Sequence, residues 1–155
     1  MASEHKGIDV ATERVLIKAL HATIRDDEDD FEAQLEAFAT KDALLTADAR
    51  CTDLSALIML KQYGGILREE SVQELATRVA RFASWSGITP AEFAAYINAI
   101  FNATPIENVL EIGAALRAPF ILLANLLVNF HADGETWHAY LDQVWDVLED
   151  GASRS

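Results

Sequence analysis

Pro119–Phe130 reads Pro-Phe-Ile-Leu-Leu-Ala-Asn-Leu-Leu-Val-Asn-Phe, a stretch in which nearly every side chain is apolar. At 100° per residue its two polar members, Asn125 and Asn129, fall about 40° apart, so apolar groups occupy the rest of the circumference. A helix of that kind needs neighbours on most sides. The stretch therefore predicts a buried central helix whose two amides either reach water or are hydrogen-bonded.

The sequence before this stretch is punctuated by helix-start signals. Ser71-Val-Gln-Glu74, Thr89-Pro-Ala-Glu92 and Thr104-Pro-Ile-Glu107 each have the form of a capping box, the last two with Pro at the first helical position. They predict a helix burying Val72, Leu75, Val79 and Phe82 and stopping at Gly87, and a second burying Phe93, Ile97, Ile100 and Phe101. A third is expected to run from Pro105 towards Ala118. Pro119 has no N–H and its ring crowds the carbonyl four residues back, so this third helix is expected to end or kink before it. Beyond Phe130, Ala132-Asp133-Gly134 breaks the pattern. A last helix over about 135–149 then turns Trp137, Tyr140, Leu141, Val144, Trp145 and Leu148 inward.

Nearer the N-terminus, Val15, Leu16, Ala19 and Leu20 form the stripe of a helix near 8–24. Asp26, Asp27, Glu28, Asp29 and Asp30 precede Phe31, Leu35 and Phe38, an i, i+4, i+7 stripe. The acidic block thus caps and begins a second helix, where unpaired amides carry partial positive charge. A short helix is expected around 43–47. Another, capped by Thr52 or Asp53, buries Leu54, Leu57, Ile58 and Leu60 and closes at Gly64-Gly65. No run alternates like a strand. The fold class is all-α: a compact single-domain array of about seven or eight helices around Pro119–Phe130, spanning 1–155 with frayed tails at about 1–7 and 150–155.

The chain carries 25 Asp and Glu against 12 Lys and Arg, a formal net charge of −13, which opposes accumulation on nucleic acid or anionic lipid. No direct nucleic-acid binding is expected. The apolar tract is about twelve residues long, short of the roughly twenty of a bilayer span, so no membrane segment is expected either. Cys51 is the lone cysteine, and the first residues lack the basic and apolar regions of a secretion signal. Both point to a cytoplasmic address.

Motifs that carry chemistry are weak. His131, Glu135 and His138 fall at i, i+4 and i+7, but a helical carboxylate-bridged metal site needs a second Glu-x-x-His and two more Glu. More simply, His131 ends a helix and His138 faces solvent. Asp26–Asp30 lacks the alternating ligands, central Gly and terminal Glu of a calcium loop. Gly64-Gly65 is followed by no Gly-Lys-Ser/Thr, Cys51 has no His nearby in sequence, and no Gly-x-Ser-x-Gly elbow occurs. No catalytic residue, metal or cofactor is assigned.

The leading expectation is a non-enzymatic acidic module for protein–protein interaction, of the kind used in inhibition, immunity, adaptor or assembly roles. Its surface would be Asp26, Asp27, Glu28, Asp29 and Asp30 with Glu32 and Glu36, and its partner a protein of basic character. The alternative is a helical bundle holding an apolar small molecule beside Asn125 and Asn129, oriented by Trp137 or Trp145. The wide aromatic face of the last helix also admits a homo-oligomer.

Overall fold

The computed structural model describes residues 8–154, so the expected tail 1–7 lies outside the described residues. Seven α-helices follow in order: α1 (Val10–Ile24), α2 (Glu28–Ala37), α3 (Lys41–Tyr63), α4 (Glu69–Phe82), α5 (Pro90–Phe101), α6 (Ile112–Phe130) and α7 (Trp137–Arg154). No strand occurs among the described residues, and the fold is all-α. Short 3-10 turns at Ser84–Ser86 and Ile106–Asn108 serve as connectors.

Helix α6 is the centre of the array. It packs against α1, α3, α4 and α7, and every residue from Ala118 to Leu127 is buried. By length and apolarity α6 could cross a bilayer, but 67% of that window is buried inside the protein, as for a core helix. Around it, α1 pairs with α2, and α4 pairs with α5. Phe31 and Phe38 reach the Phe120 ring at 6.1 and 6.0 Å, so the α2 stripe is pinned to the middle of the core.

Local chemistry explains most boundaries. The acidic block joins α1 to α2: Asp26 takes a left-handed conformation (φ 59°), the Asp27 N–H donates to the Ala22 carbonyl at 2.9 Å, and the Asp27 carboxylate caps α2. This is the closing geometry that lets a helix satisfy its last carbonyls before the chain turns away. Thr89 and Glu92 form a complete capping box on α5. Gly64, at φ 72°, ends α3.

Four expectations are corrected. Residues 41–63 form one 23-residue helix, not two, because no Gly or Pro interrupts them and Thr40 supplies the cap. Thr52, read as a cap, instead shares a hydrogen bond with the Tyr96 hydroxyl at 2.7 Å. Helix α4 starts at Glu69, ahead of Ser71, since Glu69 and Glu70 suit the positive first turn without a side-chain cap. Thr104 starts no helix: its N–H donates to the Ala99 carbonyl at 2.9 Å, closing α5 behind left-handed Ala103. Pro105, with ψ 137°, is therefore extended, and Glu111 caps α6 instead.

Pro119 also sits inside α6 rather than at its start. An internal Pro costs ~3 kcal/mol or more, and burial of the flanking apolar residues outweighs that cost. The last helix runs on to Arg154, past the expected stop near 149, and begins behind Thr136, whose hydroxyl accepts from the Ala139 N–H at 3.0 Å.

Urea unfolding tests this assignment of core and caps. Leu126→Ala should cost about 2–5 kcal/mol, Thr89→Ala about 0.5–2 kcal/mol, and Thr104→Ala less than either, because no α-helix starts there.

Candidate functional site: a groove between α3 and α6

The largest of the described cavities is a groove of about 610 Å³ between α3 and the N-terminal half of α6. One wall is a single face of α3, with Lys41, Leu45, Asp48, Ala49 and Thr52 at helical spacing. The other is Ile112, Ala115, Leu116 and Pro119 of α6, and the connector adds Ile106 and Leu110 with the exposed Glu107 and Glu111 at the rim. The volume has a local cause. Farther along α6, Leu, Ile and Phe fill the core, but at the groove the small side chains of Ala115 on α6 and Ala49 on α3 leave space between the two helices.

Asp48 is the unusual member of this lining. It is 8% exposed, and its Oδ1 is sealed from solvent with no hydrogen-bond partner. A carboxylate in such surroundings loses hydration without gaining a counter-charge, so its neutral form is favoured and its pKa is pushed up to about 8. One turn on, the buried Cys51 thiol is raised well above its usual range, first by desolvation and then by Asp48. The fully buried Tyr96 phenol is raised for the same first reason, and Asp53 is raised by burial against the opposing charge of Arg50.

A second, smaller cavity of about 250 Å³ adjoins the groove and shares Ala49, Thr52 and Ile106 with it. The Thr52–Tyr96 hydrogen bond thus ties α3 to α5 beside the groove. At the outer rim the exposed apolar side chains Ile112 (69% exposed) and Leu45 stand beside the exposed Lys41, Glu107 and Glu111.

The residues singled out from sequence lie elsewhere. Among the acids, Asp27 caps α2, Asp30 pairs with Arg25 at 2.8 Å, and Glu32 binds the Arg117 guanidinium in two hydrogen bonds of 2.7 and 2.8 Å. Asp26, Glu28, Asp29 and Glu36 are exposed. Asn125 is buried, and its Oδ1 accepts from Arg78 Nε at 3.3 Å, while Asn129 is exposed and donates to the Asn125 carbonyl at 2.8 Å. Trp145 is buried beneath the Arg50 guanidinium, and Trp137 stacks on His21 at 6.1 Å. None of these four lines the groove.

Nor do His131, Glu135 and His138 converge. His131 bonds the Ala132 carbonyl, Glu135 accepts from Ala132 and Gln143, and the His138 ring lies against Trp137. Among the described residues no group of three or more His, Cys, Asp or Glu could hold a metal ion.

Sequence reasoning missed Asp48. The signal was present: Asp48, Cys51, Ser55 and Ile58 follow a 3, 4, 3 spacing, the buried stripe of one continuous helix. Dividing α3 near residue 50 hid that stripe. Comparison with models of known protein families, with curated proteins and with solved structures gives no match.

The proton on Asp48 makes stability depend on pH. The folded protein holds it up to about pH 8, whereas an ordinary Asp releases it near 3.8, so the folded state binds more protons between those values. Stability from this group is therefore lost as pH rises through that window. Urea unfolding at pH 5 and pH 8 should show the wild type losing more stability than Asp48→Asn, by a few kcal/mol at ~1.4 kcal/mol per tenfold change in proton affinity. Equal losses would contradict the burial of an unpaired carboxyl.

Proposed function

We propose that this protein is a non-enzymatic binding module that holds an apolar small molecule in the groove between α3 and α6. The observation that carries this reading is Asp48, a buried polar group on the wall of an otherwise largely apolar groove of about 610 Å³. Ligand pockets combine these features: a volume of roughly 300–1,000 Å³, apolar walls and a few placed polar groups that fix orientation. A buried acid without a partner is costly to the fold, and a ligand that pairs with it offsets that cost.

The test is titration with a neutral solvatochromic naphthalene dye. Wild-type protein should bind it saturably at one site per chain, and Ala49→Trp, which fills the groove from an exposed position, should abolish binding with little change in melting temperature. Saturable binding that survives Ala49→Trp would move the site elsewhere, and no binding would end the reading.

A protein partner at the acidic block is the second reading. Its support is that Asp26, Glu28, Asp29 and Glu36 point outward on a chain of net charge −13, whereas Asp27, Asp30 and Glu32 are engaged within the fold. Replacing the four outward acids with Asn or Gln should leave the melting temperature nearly unchanged, because Asn tolerates the left-handed backbone at position 26. The same variant should lose salt-dependent capture of a basic protein partner. Capture that is equal for both proteins at low salt would remove the acidic block from consideration.

A further inference from the structure

Carboxyl groups dominate the polar lining of the groove. Asp48, Glu107 and Glu111 contribute them, and Glu111 Oε1 already accepts from the Ala114 N–H at 2.9 Å. Pro119 has no N–H to offer the Ala115 carbonyl four residues back, and both residues line the groove. Thr52 already shares its hydroxyl with Tyr96. The single cationic side chain in the lining is Lys41, exposed at the first turn of α3.

A ligand that satisfies this lining must bring donors, and the charges decide their kind. Two rim carboxylates and a net charge of −13 oppose a fatty acid or a phosphate ester. A neutral alcohol meets one acceptor, leaves Asp48 in its protonated form and draws nothing from the rim carboxylates. An ammonium group supplies three donors and a positive charge that complements the rim carboxylates and the ionised form of Asp48.

Resting on the groove reading above, we propose that the ligand class is an amphiphilic cation: an aliphatic amine whose ammonium pairs with Asp48 while its chain lies along Ile106, Leu110 and Leu116. Pairing converts Asp48 from acid to carboxylate, so one proton leaves the Asp48 carboxyl for solvent as the amine enters below about pH 8. The other ionisable groups around Asp48 are Lys41, Arg50, Cys51 and Asp53 on α3, Tyr96 on α5, and Glu107 and Glu111 on the connector. An alkylammonium ion has a pKa near that of Lys, ~10.4, and stays charged throughout this range.

Isothermal titration with decylamine, decanol and decanoic acid tests the assignment. Decylamine should bind one per chain, at least about tenfold more tightly than decanol, with decanoic acid weakest. Its affinity should rise by up to about tenfold per pH unit from 6 to 8, with proton release seen as a dependence on buffer ionisation heat. Asp48→Asn should erase the preference for the amine and its pH dependence while retaining decanol binding. Equal binding of decylamine and decanol, or an amine preference that survives Asp48→Asn, would overturn the cation assignment and leave the groove as an apolar site. If none of the three probes binds, or if Ala49→Trp binds all of them as wild type does, the groove reading falls with it.

Discussion

The structure depends on covering α6. Its second half is apolar around most of its circumference, and no single partner can bury such a helix, so α1, α3, α4 and α7 are drawn against it. The same requirement fixes the faces those helices present. Leu16, Ala19 and Leu20 of α1, Leu54 and Ile58 of α3, Leu75 and Val79 of α4, and Leu141 and Val144 of α7 belong to one connected core with Phe120–Leu127. One polar side chain in that core, Asn125, is met by Arg78, whose guanidinium also lies over Phe130.

Helix α6 is uneven along its length, and the unevenness makes the site. Its C-terminal half carries large aliphatic side chains that pack to fill space, whereas in its first two turns the face towards α3 includes the small Ala115. Helix α3 runs alongside both halves, so the same pair of helices that closes the core at one end leaves a groove at the other. Asp48 falls on the α3 face that borders this gap. An acid held there without a counter-charge destabilises the fold above the pH at which it would normally ionise, and that cost gives the groove a chemical preference as well as a shape.

The architecture was largely legible in the sequence, because apolar periodicity reports burial directly. Leu16, Phe31, Phe93, Ile97, Tyr140 and Trp145 are buried as their spacing requires. The start signals were legible only in part. Thr89 caps α5, but Thr104 carries the same Thr-Pro-x-Glu pattern and its N–H instead closes the preceding helix, a choice set by left-handed Ala103 and invisible to a local pattern. Pro119 misled for a related reason: the break it favours is a local preference, and tertiary burial overrode it. The groove could not be read from sequence at all, since it depends on how two helices distant in the chain are set against each other. Asp48 could have been read, had residues 41–63 been treated as one helix with a single acid on its inner stripe.

Asp48 lies nine-tenths buried with one carboxyl oxygen sealed from solvent, a setting that keeps its proton in place at neutral pH. Carbon-13 NMR of the labelled carboxyl, titrated from pH 3 to pH 10, reads that state directly. A midpoint near 8 is the result the structure requires, and a midpoint near the ordinary value of 3.8 would show a hydrated or paired carboxylate and remove the basis for the groove's chemistry.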